Sequence, residues 1–286
     1  MIYVHLFCNP FFDGHIFWKD VIQRLQKNEA INASPNSTNT IHCMVHQIDE
    51  MANVDRWIDQ FFVQRSLHPT DSISANLEAE KREKHEKKQQ HIVVAHGMSI
   101  PFVSQINQKS VLYHDDIDVS FVLSNGPLLD MDVVSKTFKK LPNLVQRLCI
   151  SSPFMMPFLA SSIAFRRLVV NPYVMNSDMI VALCSNVFSD SKKTQKCIDY
   201  IDTSHDLFPL EFSPKCPILA CWGTLDVRYP LAMLASFEMH HQNMDRIDIE
   251  GGQHFHPIER PWEISDIIIA WISRRTTQQF EENLLI

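Results

Sequence analysis

The sequence predicts an α/β protein, a mostly parallel central sheet flanked by helices with a helical segment inserted before its last strands. Three observations predict it. Short apolar runs rich in β-branched residues, such as Ile92-Val93-Val94-Ala95, suit strands buried on both faces. Stretches with helical apolar spacing alternate with them, as in Phe17 to Leu25, which is the pattern of strand–helix units. The alternation stops between about residues 141 and 210 and resumes at Cys216-Pro217-Ile218-Leu219-Ala220.

In chain order, residues 2–7 form the first strand and the loop from Cys8 to His15 leads into a helix over Phe17–Leu25. Residues 28–39 are polar and read as a surface loop. Ile41 to Val45 is a strand, and Val54 to Leu67 a helix with Trp57, Ile58, Phe61 and Phe62 facing inward. Pro69 to Gln90 ends in the mixed-charge run Glu78 to Lys88, a solvated insertion or an interaction arm. Ile92–Ala95 then enters a tight turn and a helix from Met98 to Ile106, and Val119–Leu123 is the next strand. The proline-punctuated segment that follows carries Pro153-Phe154-Met155-Met156-Pro157, whose apolar residues line a pocket, meet a partner or pack against the core. A strand ending at Asp226, a last strand from Asp245 to Ile249, a helix from Trp262 to Ile272 and a polar tail from Arg274 complete the chain. The expected organisation is a core over 1–140 with polar insertions near 28–39 and 69–90, a helical cap over 141–210, the rest of the core over 211–275, and a tail over 276–286.

Composition narrows the function. With 286 residues, 45% of them hydrophobic, the chain is large enough for one sizeable core. A formal net charge of −7 argues against a general nucleic-acid binder. Glycine is scarce, and neither a G-x-G-x-x-G nor a P-loop is present, so no cofactor is expected. Cys8, Cys43, Cys149, Cys184, Cys197, Cys216 and Cys221 are scattered without a C-x-x-C, which fits buried thiols in a reducing intracellular compartment. Asp13, His15 and Asp49 form no ligand spacing, so no metal is expected. No run is long enough to span a membrane. The first strand begins at once, leaving no room for a cleavable leader, so the sequons at Asn32 and Asn36 read as chance matches and the protein as one that is not secreted.

Two C-terminal segments and one central turn carry a family resemblance. Pro217-Ile218-Leu219-Ala220-Cys221-Trp222-Gly223-Thr224-Leu225-Asp226 and Gly251-Gly252-Gln253-His254-Phe255-His256-Pro257-Ile258-Glu259-Arg260-Pro261 resemble the acid-bearing strand end and the histidine loop of the α/β-hydrolases. The strand–turn–helix at Ala95-His96-Gly97-Met98-Ser99 is similar to their nucleophile elbow, G-x-S-x-G. The resemblance implies that Asp226 is the triad acid, His254 the triad base and Gly97 the nucleophile position, so the elbow is degenerate: glycine has no side chain to deprotonate. It also implies a His-Gly pair after the first strand, where this chain has Phe7-Cys8-Asn9-Pro10, and Pro10 has no N–H to offer an oxyanion. Ser99 lies inside the helix start and reads as a capping residue rather than a nucleophile. Cys8 reads as a small buried thiol, His96 as structural and His256 as loop packing. Cys8, His96, Met98, Phe154 and Met155 are the candidate pocket residues.

Three functions stay open. The first is a catalytically inactive fold used as a binding or scaffold module, with protein partners in a larger assembly or an apolar small molecule under the cap. The second is an enzyme using His254 and Asp226 as a general-base dyad, as some lyases and cofactor-independent oxygenases of the superfamily do. The third is a serine hydrolase with a displaced nucleophile.

Overall fold

Among the described residues, six parallel strands build one sheet in the order β2-β1-β3-β4-β5-β6. The strands are β1 (Ile2–Phe7), β2 (Ile41–His46), β3 (Gln90–His96), β4 (Asp118–Ser124), β5 (Ile218–Gly223) and β6 (Met244–Ile249). The computed structural model describes residues 2–27, 41–47, 53–63, 89–110, 118–129, 163–241 and 244–284. The polar loop at 28–39, nearly all of the 69–90 insertion, Asp49, Cys149, Phe154 and Met155 lie outside them.

Period-two alternation sorts each central strand between two apolar layers. Val93 and Ala95 face one layer with Trp57, Phe121, Trp222 and Phe237, whereas Ile92 and Val94 face the other with Trp18, Val21, Leu219 and Trp271. On one face pack α3 (Val54–Ile58) and α4 (Ile100–Ser110). On the other pack α1 (Gly14–Phe17), α2 (Lys19–Lys27) and the C-terminal helix.

Between β4 and β5 the described residues form α5 (Ile163–Arg166), α6 (Ser177–Phe188) and α7 (Ser191–Ser204). They seat on the loop after β1: the Asp13 N–H donates to Leu183 O at 2.6 Å, and the Cys197 thiol donates to Pro10 O at 3.2 Å. After β5 come α8 (Leu231–Glu238), then β6, the single turn α9 (His256–Glu259) and α10 (Pro261–Leu284).

Two helices differ most from the sequence reading. The helix beginning at Val54 turns into a π-helical segment at Asp59–Val63. The final helix does not stop near Ile272 but runs to Leu284, because residues 273–284 contain good helix formers and neither glycine nor proline. Its Arg275 reaches Asp118 at 3.5 Å, and the Thr276 hydroxyl donates to Gln90 Oε1 at 3.3 Å, so part of the expected tail docks on the starts of β3 and β4.

A line of imidazoles crosses the sheet. Trp57 Nε1 donates to His46 Nδ1 at 3.2 Å, His46 Nε2 lies 3.0 Å from His5 Nδ1, and His5 Nε2 lies 2.9 Å from His91 Nδ1. An indole N–H only donates, so it fixes every tautomer in turn: each neutral ring accepts at Nδ1 and donates from Nε2. All three histidines are buried, and burial makes each bond costly to remove. Replacing the middle ring, His5→Phe, eliminates two bonds at once. It is expected to lower the unfolding free energy by about 2–4 kcal/mol, measured by urea denaturation.

Candidate functional site

In an open parallel sheet, sites form at the carboxyl ends of the strands where the order reverses. Here the chain moves from β1 outward to β2 and then crosses back to β3, so the reversal falls between the loops after β1 and β3. These loops carry Cys8–Asn9 and Gly97.

The turn after β3 is left-handed at its apex. Gly97 has φ +63°, the left-handed region that glycine enters without steric cost. Its N–H donates to Asn125 O at 3.1 Å. A Cβ placed on Gly97 would have room, 3.9 Å from the Asn9 Cβ and 3.9 Å from both Cε1 and Nε2 of His254. The imidazole edge of His254 therefore faces the apex.

Asp226 and His254 are brought together as the sequence predicts, with His254 Nδ1 3.0 Å from Asp226 Oδ2. Direct packing of two backbones holds the pair: a Cβ on Gly223 would meet Gly252 O at 2.5 Å, so only glycine permits the acid loop and the histidine loop to touch. Across that contact Leu225 N–H donates to Gly252 O at 2.9 Å, and Gly251 N–H donates to Thr224 Oγ1 at 2.8 Å.

The Asp226 carboxylate is fully engaged. Oδ1 accepts from the N–H groups of Arg228 at 2.7 Å and Tyr229 at 3.0 Å, while Oδ2 accepts from His254 and from Asn125 Nδ2 at 2.6 Å. Burial alone would raise its pKa, but the His254 hydrogen bond and charge and the two backbone donors outweigh it and hold the carboxyl below its ordinary value. The His254 ring thus sets Nδ1 on the carboxylate and turns its Cε1–Nε2 edge toward Gly97.

Asn125 was missed by the sequence reading. Beyond its bonds to Asp226 and Gly97, its Oδ1 accepts from Gly223 N–H at 2.9 Å, and its backbone takes φ +36°. The signal was a Ser-Asn-Gly-Pro turn at a strand end, which marks a left-handed position but not its long-range partners. Asn9 is the second addition, flanking the apex while its Oδ1 accepts from Phe11 N–H at 3.1 Å.

The remaining predicted residues surround this pair. His96 is fully buried, and its ring packs on His254 with centroids 4.9 Å apart. A second imidazole chain starts there: His96 Nδ1 is 3.0 Å from Ser124 Oγ, which is 3.0 Å from His256 Nε2, and His256 Nδ1 donates to Gln253 O at 3.0 Å. The carbonyl only accepts, which makes Ser124 the donor to His256 and His96 the donor to Ser124. Burial keeps both rings neutral, lowering His96 well below its ordinary value and His256 to about 4.

Ser99 Oγ accepts from His96 N–H at 3.1 Å and donates to His96 O at 3.0 Å, which occupies the hydroxyl in capping. The Cys8 thiol lies against Asn9 O and Phe12 O at 3.5 and 3.8 Å. Burial pushes it up, Asp13 and Cys197 adding to the effect, so the reactive thiolate is suppressed. Met98 is buried; its carbonyl accepts from the Tyr200 hydroxyl at 2.7 Å, and its sulfur from the Tyr229 hydroxyl at 3.6 Å. Among the described residues no group of three or more His, Cys, Asp or Glu side chains is placed to hold a metal, and no helix is long and apolar enough to cross a membrane.

This arrangement is that of the α/β-hydrolase fold, and comparison with solved structures agrees. A carboxylesterase from the thaumarchaeon Nitrososphaera gargenis superposes with a TM-score of 0.59 at 14% identity, over 97% of this chain and 92% of its own. The enol-lactonase from Burkholderia xenovorans gives 0.58 at 13% identity, over 95% and 91%. The peroxisomal α/β-hydrolase Lpx1 of Saccharomyces cerevisiae gives 0.57 at 11% identity, over 95% and 76%. No family model and no curated protein sequence matches the chain.

Two measurements probe the site. Asn125→Ala strips a donor from buried Asp226 and an acceptor from Gly223 N–H; it is expected to cost about 2–4 kcal/mol in chemical denaturation. The two neutral histidines set an acid limit. Their folded pKa values lie below the ordinary 6.5, so between pH 6.5 and about 4 the unfolded chain binds more protons. Their stabilisation is complete above that window and is lost as pH falls through it. Unfolding free energy is expected to fall by on the order of 1–3 kcal/mol from pH 7 to pH 5, and His256→Gln should flatten the slope.

Proposed function

We propose that this protein is a binding module on the α/β-hydrolase fold that does not carry out covalent acyl transfer. It holds a small apolar molecule beneath the helical segment that caps the strand ends, or serves as a subunit of a larger assembly. The observation that carries this reading is Gly97 at the elbow apex. Covalent catalysis needs a nucleophile within hydrogen-bond reach of the base. The nearby hydroxyl of Ser99 is bonded back to His96, and the Cys8 thiol is buried against carbonyls. The structural neighbours include esterases and a lactonase, and their likeness speaks to the fold alone.

One observation favours a second reading. The His254–Asp226 pair is complete, with every acceptor position of the acid engaged and the imidazole edge turned to the apex. Such a pair can take a proton from a bound substrate without an enzyme nucleophile. A dyad enzyme would turn over a substrate of its own in a reaction that His254→Gln abolishes.

Reaction with a fluorophosphonate probe tests the main reading. The natural chain is expected to stay unlabelled, and Gly97→Ser to become labelled, because a Cβ fits at the apex beside His254. Labelling of the natural chain that disappears in Ser99→Ala would overturn it.

A further inference from the structure

We propose that the cleft at the amino ends of β5 and β6 binds a soft monovalent metal ion, copper(I), through the sulfurs of Met239 and Met244 and the Nε2 of His240. The cleft lies at the opposite edge of the sheet from Gly97 and is independent of how that site works.

The donors come from one short stretch of chain. Met239 caps α8, His240 and His241 follow it, and Met244 begins β6. Main-chain bonds fold this stretch tightly: His240 N–H donates to Phe237 O at 3.0 Å, His241 N–H to Glu238 O at 3.1 Å, and Met244 N–H to His241 O at 3.2 Å. All three proposed ligands line one cleft of about 290 Å³, whose walls also include Phe212, Cys216 and His241. Met239 is 71% exposed and Met244 half-buried, so an ion has a path from solvent to the sulfurs.

Hydrogen bonding sorts the ligands from the walls. His240 Nδ1 lies 2.9 Å from Ser236 O. A carbonyl only accepts, so Nδ1 carries the hydrogen, and Nε2 has no partner among the described residues. Metal-ligating imidazoles are oriented in this way, by a donor bond from the other ring nitrogen. His241 differs: its Nε2 accepts from Phe212 N–H at 3.2 Å and its Nδ1 donates to Phe237 O at 3.2 Å, which leaves nothing for a metal. The Cys216 thiol lies 3.7 Å from Ser110 Oγ, and burial pushes its pKa up, so it stands in the wall as a thiol rather than as the thiolate a metal takes.

The donor set selects the ion. Thioethers are soft and uncharged, which suits copper(I) and disfavours the hard cations held by carboxylates and carbonyls. With neither carboxylate nor thiolate among the ligands, a divalent charge would enter without a compensating anion, a costly burial; a single charge costs far less. The carbonyl end of α8 points at the cleft and favours a cation. The proton and the metal compete for Nε2, as at other imidazole sites.

The test is anaerobic titration of the full chain with copper(I), in competition with bicinchoninate. Methionine methyl signals are followed by carbon–proton NMR with ¹³C-methyl label. One equivalent is expected to move the Met239 and Met244 methyl signals, assigned by Met239→Leu and Met244→Leu, which keep side-chain volume and hence the fold. The double leucine variant and His240→Gln should each weaken binding roughly tenfold or more, whereas Cys216→Ser should leave it within about twofold. Both methyl signals staying in place, or an affinity that survives the methionine and histidine variants, would overturn the proposal. So would loss of binding in Cys216→Ser alone, which would make the thiol the ligand, or equal perturbation of the methyl signals by zinc(II).

Discussion

The site depends on one buried amide. Asn125 leaves the end of β4 in a left-handed conformation and spends its carbonyl on Gly97, its side-chain oxygen on Gly223 and its side-chain nitrogen on Asp226. Three loops that are remote in sequence are thereby joined at their bases. Without that donor the Asp226 carboxylate would be buried with one oxygen supported by His254 alone, a costly state for a charge. The six-stranded ladder delivers the loops to one edge, and Asn125 fixes their mutual position to within hydrogen-bond tolerance.

Around this pin the loop ends bring three groups together. The turn at Gly97 holds a positive φ, the edge of the His254 ring faces it, and the Asp226 carboxylate is saturated with donors. Beside them a second imidazole line, His96 to His256 through Ser124, is kept neutral by burial. A region built from uncharged donors and acceptors is suited to discriminating hydrogen-bonding patterns, since a mismatch leaves a buried group unpaired.

Much of this was legible in the sequence, and the exceptions share a cause. The strands announced themselves through runs such as Ile92 to Ala95, and the Asp226–His254 pair through two segments whose glycines prove to be the points of backbone contact. The tight turn at residue 97 was readable because a strand–turn–helix is a local structure. Asn125 was not, because a Ser-Asn-Gly-Pro turn looks the same whether its amide meets water or distant loops. The extension of α10 to Leu284 was hidden by its polarity; helix-forming residues carried it on, and anchors on β3 and β4 lie far away in sequence. The π-helical segment at Asp59–Val63 had no local marker.

His5, His46 and His91 are polar residues set in apolar strands, and nothing local in the sequence links them. They occupy staggered positions: His5 pairs with Met44 and Val93, whereas His46 pairs with Phe7 and His91 with Tyr3. A one-residue slip of β1 against either neighbour would turn His5 to the opposite face and leave imidazole nitrogens in hydrocarbon. An all-apolar sheet can slide and still bury its side chains; this one cannot. The imidazole line is thus an alignment key for the three strands that deliver the apex, and misaligned pairings are excluded by their unmet hydrogen bonds.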